Sequence, residues 1–153
     1  MNTTSKQVYS SQNRPQQSKE EDKFSALARL SSTVLFEAKS VYPFEIYPDK
    51  ITICLNRITV TYNTPFMKDE RPIPIEFINT AHVTRGFFFS TLSIETFGVE
   101  KPNPIAHLKT NEARTARRYI LALVECKKNQ IDFRGYEIGE IKKKLLEIGK
   151  VRE

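Results

Sequence analysis

Between residues 43 and 110 the apolar side chains recur at every second position, in short runs parted by turn residues. A period of two puts alternate side chains on opposite faces of a strand, so this stretch predicts a series of short strands. Phe44 and Ile46 alternate, then Tyr47-Pro48-Asp49-Lys50 reads as a turn with proline in its favoured second position. Ile51, Ile53 and Leu55 share one face of the next strand; Asn56 and Arg57 break it, and Ile58, Val60 and Tyr62 share a face of the one after. Asn63-Thr64-Pro65 ends that strand, and Lys68-Asp69-Glu70-Arg71 reads as a charged loop. Ile73, Ile75 and Phe77 resume the alternation, but Pro72 and Pro74 cannot donate to a ladder, which predicts an edge or bulged strand. Residues 78–84 read as a strand, Gly86 as a turn residue, Leu92, Ile94 and Thr96 as the inward face of another strand, and residues 105–110 as the last.

On either side of the strands the period lengthens. Residues 1–22 are rich in Ser, Gln, Asn and Thr and have little to bury, so ordering entropy predicts a disordered polar tail. Residues 23–40 read as a helix or an extension. Phe24, Leu27, Ala28, Val34, Leu35 and Ala38 have helical spacing, Ser31 and Ser32 weaken the middle, and residues 33–36 are open to an extended course. After the strands, Asn111 is placed to cap a helix whose dipole Glu112 complements, and Ala113, Ala116, Ile120, Leu123 and Val124 form its apolar stripe. Residues 129–153 read as a basic helical extension, in which Ile138, Ile141, Leu145 and Ile148 mark a short helix bounded by Gly139 and Gly149. That stripe can pack back on the domain, pair with a second chain in self-association, or lie on a membrane, in that order.

Length and composition narrow the class. A chain of 153 residues suits one domain with tails, and no apolar run approaches the roughly 18 residues of a membrane span. The amino terminus lacks an apolar signal core, so a cytoplasmic address is expected and Asn2-Thr3-Thr4 is not expected to be glycosylated. Cys54 and Cys126 have no second ligand at metal-binding spacing and read as buried thiols. The five glycines fall in no phosphate-cradling or dinucleotide fingerprint, so no cofactor is expected. His82 and His107 stand in strands or strand ends without a nucleophile or carboxylate motif, and Glu37, Glu45, Glu76 and Glu95 are dispersed. No catalytic, cofactor-binding or metal-ligating residue is assigned, and a non-enzymatic protein is expected.

The net charge of +6 becomes informative once it is located. Residues 1–23 carry four basic and three acidic groups, residues 24–100 seven and eight, and residues 101–153 thirteen and seven, giving +1, −1 and +6. The positive charge therefore sits in the carboxy-terminal third, Lys142, Lys143 and Lys144 included, apart from the strands. Nucleic acid is one partner class that such charge suits, but no helix-turn-helix, zinc-finger or aromatic RNA-binding strand motif accompanies it, so this option ranks below the others.

The one local feature that suggests a contact surface is Arg85-Gly86-Phe87-Phe88-Phe89. Three successive aromatics in a tight turn cannot all face one core, so one ring is expected at the surface. The candidate surface is accordingly Arg85, Phe87, Phe88 and Phe89, with Lys142, Lys143 and Lys144 joining it if the turn and the terminal helix share a face. One inserted ring and three lysines near an anionic leaflet sum to about 5 kcal/mol, a weak and reversible attachment.

About seven short antiparallel strands closed by a carboxy-terminal amphipathic helix resemble the bacterial pleckstrin-homology-like (PH-like) domains. The resemblance is carried by YPFEIYPDKITI at 42–53, IPIEFINTAHVTRGFF at 73–88, LSIET at 92–96 and NEARTARRYI from Asn111, and it spans residues 43–128. It implies a mainly β, α+β fold: a bent, partly open barrel or sandwich plugged by the helix. It also implies a binding role, with an unidentified protein or an anionic membrane surface as partner, the latter at the inner face of the membrane. Lipid-binding members of the wider superfold hold inositol phosphates with clustered basic residues between their first two strands. The corresponding YPDK stretch offers Lys50 beside Asp49, so that route is not expected.

Overall fold

The computed structural model describes residues 14–150. Its first helix, α1 (Arg14–Ser32), stops where the sequence offers three hydroxyls in a row. Ser31 Oγ and Ser32 Oγ donate to the Ala28 carbonyl at 3.0 and 2.8 Å, and Thr33 Oγ1 donates to that of Arg29 at 2.6 Å. Side chains that bond back in this way compete with the helical ladder, and the β-branched Val34 then opens strand β1 (Val34–Lys39). The helical spacing of Val34, Leu35 and Ala38 is thus misleading, and the extended alternative is the one adopted. At its other end α1 reaches back into residues 14–22, which composition marks as tail; residues 1–13 of that tail, with Asn2-Thr3-Thr4, and residues 151–153 lie outside the described residues.

Two antiparallel sheets follow, and they do not join into a closed barrel. Strands β1, β2 (Lys50–Cys54), β3 (Arg57–Asn63) and β4 (Lys68–Pro74) form a four-stranded meander in sequence order, and β5 (Ile78–Arg85), β6 (Ser90–Thr96) and β7 (Ile105–Leu108) form a three-stranded one. The register sets Ile51 opposite Val60 and Ile53 opposite Ile58, and all four are fully buried. β4 lies at the sheet edge, as its prolines require, with Pro72 opposite Thr59 and Pro74 opposite Arg57.

Three expectations about the strands are corrected. The charged run Lys68-Asp69-Glu70-Arg71 is part of β4 and not a loop, since an edge strand can turn charges to water and thereby resist pairing with another chain. Beyond Pro74 the alternation of Ile73, Ile75 and Phe77 is broken by a short 3-10 turn (Ile75–Phe77), and the Ile75 N–H donates to the Asn56 carbonyl at 3.1 Å. Phe44 and Ile46 belong to no strand. They lie in an irregular loop between β1 and β2, both exposed, and β1 takes the place of the strand expected there.

Helix α2 (Thr110–Lys128) packs on both sheets and on the 3-10 turn. It begins one residue before Asn111, the expected cap: Lys109 occupies the cap position without a capping side-chain bond, and its Nζ pairs with Glu112 Oε1 at 3.3 Å. The stripe Ala113, Ala116, Ile120, Leu123 and Val124 is buried as the spacing predicts. Tyr119, Leu121, Ala122 and Cys126 are buried as well: Tyr119 stacks on Phe36 of β1 at 5.7 Å, and α3 (Ile138–Lys150) covers a further side of the helix, with Cys126 beside it.

Helix α3 runs antiparallel to α2, with Ile141 and Leu145 beside Cys126 and Gly149 against the backbone of Arg118. Gly139 and Gly149 lie within this helix and do not bound it. A Cβ at Gly149 would overlap the Arg118 carbonyl, which explains a glycine on the packed face. Both cysteines are free, and burial raises each thiol above its ordinary value. Among the described residues no helix is long and apolar enough to cross a membrane.

Candidate functional site

The β5–β6 connection is the Arg85-Gly86-Phe87-Phe88-Phe89 turn. The Gly86 N–H donates to the Phe89 carbonyl at 2.8 Å, and a Cβ at Gly86 would sit only 2.8 Å from that same oxygen, so the turn closes this tightly only on glycine. Two rings project and not one: Phe87 is 93% exposed and Phe88 74%, packed edge to face with centroids 4.6 Å apart. Phe89 folds back, half-buried, against Phe44 at 4.8 Å.

That contact brings in the β1–β2 loop, which exposes Tyr42, Phe44, Ile46 and Tyr47. The loop is held by a compact polar network. Asp49 N–H donates to Ser40 Oγ at 2.7 Å, the Ser40 hydroxyl contacts Glu45 Oε2 at 3.3 Å, and Glu45 Oε1 lies 3.2 Å from His107 Nδ1. Phe44 stacks on the His107 ring at 6.0 Å. Asp49 Oδ1 in turn accepts from the Asn63 N–H at 2.9 Å, and Asn63 Nδ2 donates to the Pro48 carbonyl at 2.6 Å. These bonds tie the loop to the end of β3 and so to the β3–β4 hairpin, whose tip carries Phe66, 96% exposed, and Met67.

The β1–β2 loop therefore touches the β5–β6 turn through Phe44 and Phe89 and is bonded to the end of β3 through Asp49 and Asn63. The β3–β4 hairpin also reaches the β6–β7 connection, where the Tyr62 hydroxyl donates to the Asn103 carbonyl at 2.8 Å. Together the β1–β2 loop, the β3–β4 tip and the β5–β6 turn expose Tyr42, Phe44, Ile46, Tyr47, Phe66, Met67, Phe87 and Phe88. A shallow concavity of about 380 Å³ lies among Phe44, Phe87, Phe88, Phe89 and His107. A larger one, about 670 Å³, opens between α1 and residues 134–139, where Ala26, Tyr136 and Ile138 stand among the charged Asp22, Lys23, Arg29, Arg134 and Glu137.

The lysine run does not join this end. Lys144 lines a cleft with Cys126 and stands 4.4 Å over the Tyr136 ring, whereas Ser90, at the base of the aromatic turn, bonds Thr110 in the first turn of α2 at 3.0 Å. Thr110 and Cys126 are about 24 Å apart along the helix at 1.5 Å per residue. Lys142, Lys143 and Lys144 thus lie toward the end of the molecule that carries the β2–β3 turn, where Leu123 and Lys127 share a cleft with Leu55 and Asn56.

Three lysines near the aromatic end contact two carboxylates, and Arg85 adds a further cation in the turn itself. Lys39 and Lys50 pair with Glu37 at 3.4 and 3.3 Å, and Lys68 pairs with Glu70 at 2.5 Å. Burial works against ionisation of Glu37, but hydrogen bonds and charge from Lys50 and Lys39 overcome it and hold the carboxyl below its ordinary value. Asp49 is shifted the opposite way: burial raises it, the Asn63 N–H offsets part of the rise, and the nearby Glu45 charge adds to it.

The histidines do not assemble a nucleophile. His107 faces Glu45, whose other oxygen is contacted by the Ser40 hydroxyl, so the carboxylate stands between serine and imidazole. His82 Nε2 is 3.8 Å from Glu95 Oε1 on an open strand face. Among the described residues no three His, Cys, Asp or Glu side chains gather as metal ligands.

Sequence spacing found the β5–β6 turn and missed its two neighbours. Apolar residues that stand beside prolines in turns, as in Tyr42-Pro43-Phe44 and Pro65-Phe66-Met67, are the signal that points to them, because such positions have no core to fill. No protein-family model matches the chain, and the curated proteins compared with it give no significant match.

Proposed function

We propose that the protein is a non-enzymatic, PH-like binding module that attaches peripherally to a lipid bilayer through its three-loop aromatic end. The observation that carries this reading is the exposure of eight large apolar side chains, Tyr42, Phe44, Ile46, Tyr47, Phe66, Met67, Phe87 and Phe88, on the β1–β2 loop and on the two connections to which it is joined by contact or hydrogen bond. Water-exposed apolar groups in such number mark an interaction surface. Rings that project from separate tips suit a soft interface that closes around each of them, and Tyr42 and Tyr47 have the apolar body and polar tip favoured at the headgroup level. The two antiparallel sheets with α2 packed on them support the PH-like part of the reading. A cytoplasmic protein would meet the inner face of the membrane.

The balance of charge makes the attachment apolar. Complete withdrawal of Phe66, Phe87 and Phe88 from water would contribute about 5–9 kcal/mol as an upper bound. This corresponds to dissociation constants from roughly 0.2 mM to below 1 μM before ordering costs. Flotation on neutral phosphatidylcholine vesicles and on vesicles with added phosphatidylserine tests the reading. Binding to both within about twofold is expected, with Phe88→Ser and Phe66→Ser each weakening it about tenfold, as for one ring partly immersed. A chain that stays with the soluble fraction on both vesicle types sinks the proposal, and capture of a specific protein through the same residues would make the partner a protein instead.

Nucleic acid binding is the rival, favoured by the Lys142, Lys143 and Lys144 run on α3. It would use the opposite end of the molecule, so replacing the three lysines by glutamine separates the two readings.

A further inference from the structure

Apart from the contact between the Phe44 and Phe89 rings, the bonds and contacts that seat the β1–β2 loop on the second sheet meet one residue. His107 accepts the Val41 N–H on its carbonyl at 2.9 Å, faces Glu45 Oε1 with Nδ1 at 3.2 Å, carries the Phe44 ring stacked at 6.0 Å, and meets the Phe89 ring edge-on at 6.3 Å. Its backbone sits at φ +54°, a left-handed conformation uncommon for a residue with a side chain. Such a conformation persists only where surrounding contacts over-determine it, and it directs attention to function.

We infer that His107 is a protonation latch: protonation of its ring locks residues 41–45 against the β5–β6 turn and strengthens binding by the aromatic end. The inference rests on that end being the contact surface. Two contacts change together when the ring takes its second proton. The Glu45 contact becomes an ion pair, and the Phe44 face meets a cation in place of a neutral ring. Both tighten the loop that carries Tyr42, Phe44, Ile46 and Tyr47, so the exposed rings are held closer to one arrangement before they meet a partner.

The charged surroundings are few. From the loop itself come Glu45 and Asp49, the latter adding negative charge near Glu45. Lys109 follows His107 in sequence but is paired with Glu112 of α2, Lys39 at the end of β1 is paired with Glu37, and the β5–β6 turn supplies Arg85. The other histidine of the chain, His82, stands on β5 beside Glu95 and serves as an internal control.

The test follows partition of the full chain onto phosphatidylcholine vesicles between pH 8 and pH 5.5 at constant salt. Wild type and His82→Gln should bind about threefold to tenfold more tightly at the acid end, the size of one partly exposed ion pair with a cation–π contact. Glu45→Gln, which keeps the Phe44 contact, should lose part of this gain and His107→Asn all of it; asparagine is chosen because it tolerates positive φ. Hydrogen exchange of the Val41 and Glu45 amides, expressed as protection factors, reads the latch without any vesicle. Protection should rise on acidification in wild type and stay level in His107→Asn.

The outcomes separate the two ideas. Vesicle binding that is indifferent to pH overturns the latch and leaves the membrane reading standing. Absence of binding at every pH, with protection that still rises, removes the membrane reading and keeps the latch. Level protection in wild type, or a pH response retained by His107→Asn, overturns the latch outright.

Discussion

Asp49 shows how one side chain can serve geometry at a cost to stability. Its carboxylate accepts the Asn63 N–H and so fixes the loop beside the β3–β4 hairpin, yet burial and the neighbouring Glu45 raise its pKa. An acid with a raised folded pKa contributes stability that is fully present below its unfolded value, ordinarily 3.8, and lost as pH rises through the folded value. Ionised Asp49 is therefore a net cost at pH 7. Asp49→Asn keeps an acceptor for Asn63 and should raise the melting temperature at pH 7 with little change at pH 3. Asp49→Ala removes the acceptor, leaves the Asn63 N–H without that partner, and should lower it. Thermal unfolding of both variants at the two pH values decides the matter; a fall at pH 7 for Asp49→Asn would show that the charge itself holds the loop. Nothing in the alternation of Phe44 and Ile46 foretold this role, because the partner Asn63 lies on another strand and sequence spacing carries no information about it.

At the level of elements, the strands with alternating burial were legible and those at the margins were not. Ile51, Ile53, Ile58 and Val60 have neighbours on two sides, so their period of two survives in the fold. β1 was hidden because helical and extended spacing coincide over a short apolar run, and the decision fell to the hydroxyls of residues 31–33 and to pairing with β2. The α2–α3 pair offers a sharper test of packing. Gly149→Ala would press a methyl group into the Arg118 carbonyl, and overpacking of this kind costs about 1–3 kcal/mol. Gly139→Ala, where an added Cβ meets open space, should be neutral or slightly stabilising. Chemical denaturation of the two variants checks the contrast, and equal effects would mean that α3 is not docked as described.

For the whole molecule, the separation of the exposed loop aromatics from the lysine run of α3 is the organising fact. Since Lys142, Lys143 and Lys144 lie toward the far end of α2 from the turn, replacing all three by glutamine should leave vesicle binding within about twofold and its salt dependence slight. A large loss measured by flotation at low and high salt would show that the terminal helix meets the bilayer after all. What the sequence determined by itself was local: alternating runs that make strands, a helical stripe that covers them, buried cysteines, and a glycine turn with more rings than a core can take. Each follows from the geometry of a single chain segment, with a period of two or 3.6 and a turn that closes only on glycine. Only the tertiary structure decided that the β1–β2 loop touches the β5–β6 turn and is bonded to the end of β3, that His107 joins that loop to the second sheet, and that the α3 lysines stand apart from it. Those facts depend on how a meander folds over a second sheet and on bonds between residues far apart in sequence. Segment periodicity fixes which face of each strand is apolar, and it leaves open which loop tips come together.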